Sequence, residues 1–318
     1  MPELHVADKR WSVAQGSNLL DALNQAGVAV PYSCRAGSCH ACLVRCVAGQ
    51  PADAKPEALS PEQREQGWRL ACQCQVDGDA HIEVFDPVRE GVPAKITALE
   101  WLSPSVLRLG LAPSRPVRYR AGQHAVLWTE NGIARPYSLA SLPEEDRLLA
   151  FHIDCAKAGE FVSAARQFRV GDTVRLGELR GGALRYDPDW QEHPLWLLAS
   201  GTGLGPLYGI LREALRQEHR GVIRLVHVAR DSREHYLKDE VEALAQAHPN
   251  LEVEWVLRDE FAEFLVQMRL ASRQTHALVC GHPARVDAFA KRLFLAGLAR
   301  NRLLADAFLT RSQAPFAD

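Results

Sequence analysis

The sequence predicts a multidomain protein of mixed α+β and α/β class, with a small mixed sheet, then an antiparallel barrel, then a parallel α/β sheet. Three observations carry that expectation. The hydrophobic pattern changes character twice, from alternating runs around one helical face, to strands punctuated by Pro and Gly, to strands alternating with helices. A length of 318 residues is too great for one small module and suits two or three domains. Four cysteines, Cys34, Cys39, Cys42 and Cys72, stand in the first part of the chain, spaced C-x4-C-x2-C and then 29 residues to the fourth.

Residues 1–88 read as one compact unit. Residues 4–13 alternate as a hairpin does; Leu19, Leu20, Leu23 and Ala26 then mark one helical face, with Ser17 or Asn18 as cap and Gly27 as stop. The cysteine loop follows, and residues 43–47 and 81–85 supply further strands. That order is compatible with a β-grasp sheet. Residues 86–93 hold two prolines and a glycine and predict a linker.

The cysteine spacing is the ligand spacing of a plant-type [2Fe-2S] cluster. Ser33, Ala36, Gly37, Ser38 and Ala41 are small, so backbone N–H groups in the loop can approach the sulfurs. Two rivals stand beside this reading. Cys39 and Cys42 with Cys72, Cys74 or Cys46 could hold zinc, which gives no reason for Cys34 at the x4 spacing. Disulfides call for a secretory segment, which residues 1–13 do not resemble. The loop, with Leu70-Ala71-Cys72-Gln73 downstream, resembles the plant-type ferredoxin family. Position 40, glycine in most such loops, is His40, so a positive φ there would be strained. Cys46, Cys74 and Cys155 take no assigned task, and unpaired thiols beside an iron cluster imply a reducing cytoplasm.

From 92 to 188 the pattern is strand-like at 94–99, 106–111, 123–128, 148–153 and 173–177, with one helical face at 161–168. Arg135-Pro136-Tyr137-Ser138 falls on an extended strand. An arginine, a phenol and a hydroxyl so spaced can clamp a flavin: Arg on phosphate, Tyr against the ring, Ser at the reactive nitrogen. Gly159 to Ser163 opens the helix, where N–H groups can receive a pyrophosphate. Together with residues 119–124, 170–174 and 177–182, these features resemble the flavin domain of the ferredoxin-NAD(P)⁺ reductase superfamily. The resemblance implies a Greek-key barrel binding FAD, with further contacts at His152 and Ile153. Asp154-Cys155 departs from it, because many relatives place a basic residue there; Lys157 is the substitute.

From 192 to 318, a short apolar run ends at Ser200-Gly201-Thr202-Gly203-Leu204-Gly205-Pro206, and the helical face Leu207, Ile210, Leu211, Ala214, Leu215 follows. Strand, Gly-rich turn and helix N-terminus make an anion site, which Pro206 suits as a first-turn residue. Strands at 222–228, 251–256 and 276–280 alternate with helices at 237–247, 260–270 and 284–298, giving an open parallel sheet. Cys280-Gly281-His282-Pro283 lies at a strand's carboxyl end, as the turn does, and resembles the superfamily's C-G-P element beside the nicotinamide, with His282 inserted. Asp231 after the second strand favours NADH through ribose hydroxyls, while Arg230, Arg233 and Arg258 suit a 2′-phosphate and NADPH. Residues 305–308 resemble the acidic-x-aromatic ending of the superfamily, with Phe308 over the flavin.

Composition adds exclusions. With 37 basic and 39 acidic residues, net charge −2, there is no electrostatic case for nucleic acid as a partner. The apolar stretch 195–211 is broken by Gly201, Gly203, Gly205 and Pro206, so no membrane span is expected. Cluster, flavin and nicotinamide modules in that order resemble the electron-transfer reductases of bacterial oxygenase systems. The resemblance implies an NAD(P)H-dependent monomeric reductase in which hydride reaches FAD near Ser138 and Cys280, and single electrons leave through the cluster to an oxygenase partner. A redox-sensing iron-sulfur protein with a weak reductase half is the alternative, supported only by Asp154-Cys155.

Overall fold

A computed structural model describes residues 1–308 except 33, 38, 181–183 and 271. The chain divides into two compact units, residues 1–91 with 134–136, and residues 92–133 with 137–308.

In the first unit β1 (Glu3–Val6) and β2 (Lys9–Ser12) form the expected hairpin, and β3 (Ser17–Asn18) leads into α1 (Leu19–Gln25). Asn18 is the cap, accepting from the Asp21 N–H at 3.3 Å, and Gly27 ends the helix at φ +75°. Beyond the cysteine loop come β4 (Leu43–Ala48), β5 (Ala52–Asp53), α2 (Pro61–Glu65), β6 (Trp68–Leu70), β7 (Cys74–Val76) and β8 (Ala80–Val84). The main sheet runs β2-β1-β8-β4-β6 and a second, β3-β7-β5, completes the unit. Leu19, Leu20 and Leu23 of α1 are buried with Leu4, Val44 and Ile82 of the main sheet. Four strands, β3, β5, β6 and β7, go beyond the sequence expectation; each has only two or three residues, too short for an alternation to register.

The second unit begins with β9 (Val92–Trp101), which starts inside the segment expected to be linker; Pro93 is tolerated because it stands at the strand's start. β10 (Val106–Pro113), β11 (His124–Trp128), β12 (Ala134–Ser138), β13 (Leu149–Asp154), α3 (Glu160–Ala165) and β14 (Thr173–Arg180) follow. The sheet order is β12-β11-β14-β9-β10-β13, and an antiparallel bridge between Leu139 and Phe151 joins its two ends. Ile96, Leu109, Leu127, Phe151 and Val174 fill the interior.

The chain then alternates: β15 (Leu195–Ser200), α4 (Leu204–Arg216), β16 (Ile223–Ala229), α5 (Lys238–Ala247), β17 (Leu251–Leu257), α6 (Phe261–Gln267), β18 (His276–Gly281), α7 (Pro283–Leu295) and β19 (Leu303–Ala307). All pairings in the order β17-β16-β15-β18-β19 are parallel. β15 is buried at every position, as a central strand covered on both faces must be. The strand β19 was not expected, since residues 303–307 carry no alternation and are ordered by pairing with β18. Within this unit the turn before β11 packs against α4: a Cβ on Gly122, at φ +86°, would stand 2.6 Å from the Leu184 carbonyl oxygen and 2.8 Å from Ile210 Cδ1.

Candidate functional site

The cysteine loop is fastened from several sides. Arg35 forms a two-pronged ion pair with Asp21 on α1 and lies over the Tyr32 ring at 4.8 Å. Lys55 Nζ donates to the Ala36 carbonyl at 2.9 Å, Gln73 Nε2 to the Arg35 carbonyl at 2.8 Å, and Asn18 Nδ2 to the Cys72 carbonyl at 3.0 Å. Arg35 and His40 adopt φ +50° and +49°, so the expected strain at position 40 is present. Ser33 and Ser38 lie outside the described residues.

The four thiols fall into two pairs, Cys34 with Cys39 and Cys42 with Cys72, each within hydrogen-bonding reach, and Cys72 also senses Cys34. The hydrogen bond from one thiol to its neighbour, then burial, holds Cys39 and Cys42 well above the usual thiol range. Cys34 Sγ accepts from the Ala36 and Cys39 N–H groups, both at 3.3 Å, as small neighbours in the loop allow. Among the described residues no three His, Cys, Asp or Glu side chains form a single-ion site. Two pairs of thiols suit two irons, two sulfurs to each, better than one tetrahedral zinc. Cys74 is fully buried, which pushes its thiol well above the usual range, and it belongs to the core.

The strand β12 is an end strand of its sheet, and Arg135, Pro136, Tyr137 and Ser138 are all half-buried. Alternation places Arg135 and Tyr137 on one face and Ser138 on the other. The Tyr137 ring leans on Phe161 at 4.9 Å, which ties the strand to α3, and Gly159 caps that helix. Ser163 lies inside α3, whose six residues are fewer than the eight expected. His152 and Ile153, expected beside a flavin, turn their side chains inward. Ile153 is in the core of the six-stranded sheet, and His152 is buried edge-on to Tyr236 at 5.3 Å, its pKa pushed down to about 3 by burial and then by Arg108. Only their backbone is left to face a ligand.

The glycine turn is built by close approach. Gly201 is exposed at φ +53°, and a Cβ there would meet nothing within 4 Å, so the space beside it is open. A Cβ on Gly203 would stand 2.2 Å from the Cys280 carbonyl oxygen, and one on Gly281, at φ +124°, 2.1 Å from the Ser200 carbonyl oxygen. Gly205 faces His152 Nδ1 at 3.2 Å for the same virtual atom. Pro206 and Leu204 are buried in the first turn of α4, while Thr202 is half-buried at the opening. The His282 N–H donates to Ser200 Oγ at 2.8 Å, and the Phe308 N–H to the Gly281 carbonyl at 2.8 Å. The two strand ends are thus locked together, and the Phe308 backbone is tied to the C-G element. Cys280 is itself buried, and its thiol is raised well above the usual range by burial and then by Asp306.

Asp231 is at the carboxyl end of β16, where its side chain accepts from the Arg233 N–H at 3.1 Å. Arg233 also pairs with Asp231, and Arg230 with Glu234 at 3.1 Å, so two of the three arginines offered for a 2′-phosphate have carboxylate partners. Sequence reasoning missed three groups that build these sites. Glu234 is buried, accepting from Ser103 Oγ at 2.5 Å and Ser105 Oγ at 2.7 Å; His227 Nε2 donates to the Gly201 carbonyl at 3.1 Å; and Gln73 reaches the cysteine loop. Only Gln73 gave a signal, its adjacency to Cys72.

The site geometry defines an electron-transfer protein with a cysteine cluster cage and a nucleotide-binding parallel sheet. Residues 4–77 match the model of the 2Fe-2S iron-sulfur cluster binding domain, and residues 197–291 that of the oxidoreductase NAD-binding domain. The chain is 30% identical over 314 residues to the reductase component of the naphthalene 1,2-dioxygenase system of Pseudomonas putida, covering 92% of this chain and 94% of that protein. It is 27% identical to terephthalate 1,2-dioxygenase reductase component 2 of a Comamonas species, covering 96% of each. Its fold matches the crystal structure of the Amycolatopsis cytochrome P450 reductase GcoB with a TM-score of 0.66 at 24% identity, over 97% of this chain and 99% of that one. The chain belongs to the family of ferredoxin–NAD(P)⁺ reductase components of oxygenase systems.

Proposed function

We propose that this protein is the NADH-dependent reductase component of an oxygenase system, carrying electrons from a nicotinamide through FAD and a [2Fe-2S] cluster to an oxygenase partner. The observation that carries the reading is the presence in one chain of a paired cysteine quartet and the glycine cradle of residues 201–206 locked to Cys280-Gly281. Family membership supports the cofactors and the class of partner. Among the described residues no helix is long and apolar enough to cross a membrane. A monomer working in the cytoplasm fits the reading.

Three domains follow: a β-grasp ferredoxin domain at 1–88, a Greek-key flavin barrel at 92–188 and a parallel nicotinamide domain at 192–318. When bound, the flavin accepts an electron pair as hydride and passes the electrons on singly. The chain's own residues hold and orient. Cys34, Cys39, Cys42 and Cys72 ligate iron and lose their thiol protons in doing so. Arg135 neutralises flavin phosphate, Tyr137 packs on the ring, Ser138 stands at the reactive nitrogen, and the backbone at His152, Ile153, Gly159 and Ser163 lines the rest. Gly201, Thr202, Gly203, Gly205 and Pro206 receive the nucleotide diphosphate; Asp231 takes the ribose hydroxyls. Cys280, Gly281 and Phe308 border the hydride path, with Cys280 as a buried neutral thiol.

Absorbance of protein purified without oxygen tests both resident cofactors, and NADH-driven reduction of cytochrome c tests the relay. Absence of flavin bands sinks the reductase reading, and absence of the broad cluster bands sinks the ferredoxin half. Both cofactors without turnover would leave the redox-sensing alternative standing.

A further inference from the structure

We propose that Gln73 is a positioning residue that sets the potential of the cluster, through a hydrogen bond from its side-chain amide to the sulfur of Cys72. The inference rests on the cluster reading given above. Gln73 Nε2 stands 3.3 Å from Cys72 Sγ and donates at 2.8 Å to the Arg35 carbonyl. The same nitrogen also lies 3.3 Å from the Cys72 carbonyl oxygen; of its two hydrogens, one is held by the Arg35 carbonyl and the other is turned toward Cys72, where sulfur and carbonyl share it. Gly37 completes the seat: a Cβ there would lie 3.3 Å from Gln73 Cγ and 3.2 Å from Lys55 Cδ, so the loop rests on the Gln73 stem.

One-electron reduction adds negative charge to the cluster and its sulfurs. A donor aimed at a ligand sulfur stabilises the reduced form more than the oxidised one and raises the potential. Other groups hold the same loop without touching sulfur, and they supply the control. Asn18 grips the Cys72 carbonyl at 3.0 Å, and serine in its place keeps the helix cap while shortening that grip.

The experiment is a mediated redox titration of the full-length protein, followed by EPR of the reduced cluster. Gln73→Met, similar in length and without a donor, is expected to lower the reduced-to-oxidised ratio at a given potential roughly tenfold, which is 59 mV for a one-electron couple. Asn18→Ser is expected to leave the potential unchanged. A cluster-loaded Gln73→Met at the wild-type potential overturns the proposal, as does an equal shift in Asn18→Ser, which would mean general loosening of the loop. Should Gln73→Met fail to hold its cluster, Gln73→Asn, too short to reach the sulfur, is titrated in its place. Pulsed EPR on wild-type protein with 15N in its glutamine side-chain amides decides if neither variant loads. A 15N coupling absent from the reduced cluster then overturns the contact. Wild-type protein that takes up no cluster overturns the cluster reading itself, a result distinct from a loaded cluster with an unmoved potential.

Discussion

At the residue scale, the two cysteines that sequence spacing had to separate are Cys72 and Cys74, two positions apart. The side chain of Cys72 meets Cys42, while Cys74 is buried in the core of the first unit. Cys72→Ser is expected to lose the visible cluster bands or shift them strongly, and Cys74→Ser to keep them; absorbance of anaerobically purified variants checks both. The reverse result would reassign the fourth ligand. Spacing alone was enough to favour Cys72, because cluster chemistry fixes it. What spacing could not show is the support around the loop. Arg35 and His40 sit in the left-handed region, a cost of roughly 1–2 kcal/mol per residue. The Asp21, Lys55 and Gln73 contacts that hold the loop come from residues 14 to 38 positions away from their partners.

At the scale of elements, the turn between β15 and α4 was legible because strand, glycines and apolar helix face follow in sequence. Its partner was half legible. The C-G element could be located, yet nothing local announces that Gly203 and Gly281 are there because backbone crosses backbone. Gly203→Ala is expected to destabilise the fold by about 1–3 kcal/mol or more, since a methyl 2.2 Å from the Cys280 carbonyl cannot be absorbed by a side-chain shift. Gly201→Ala faces open space and meets only the backbone penalty of its positive φ. Urea unfolding of the two variants ranks them; a Gly201 variant that is the less stable would refute this account of the turn. Short strands such as β5 and β7 were beyond reach for the opposite reason. They exist through pairing, and their sequences carry too few residues for a period.

At the scale of the whole molecule, the second unit contains histidines that are neutral by burial. Burial, then the neighbouring His235, brings His227 down to about 3, and burial with Arg108 does the same for His152. Their folded pKa values lie below the unfolded value of about 6.5, so the unfolded chain binds more protons between those limits. The stability they contribute is complete above about pH 6.5 and falls as acid is added toward pH 3, by up to about 1.4 kcal/mol per pH unit for each histidine. Urea midpoints measured from pH 7 to pH 4.5 are expected to decline, and His227→Gln to flatten the decline. A midpoint independent of pH across that window would mean these imidazoles already titrate normally in the folded state. The sequence held these histidines in plain view, but a histidine's burial depends on which elements pack around it, and that is decided by tertiary structure alone.

The contact between Gly205 and His152 bears on how such a chain can be recombined. The six-stranded sheet and the parallel sheet share one contact unit, and α4, which follows the glycine turn, leans directly on β13. A gene fusion that exchanged the nucleotide half alone would have to carry a matching glycine and histidine across the junction. An exchange cut near residue 91 leaves that seam whole, because Gly205 and His152 both lie in the second unit. The six-stranded sheet and the parallel sheet are therefore a pair to be moved together, since the fit of Gly205 to His152 is lost when either is replaced alone.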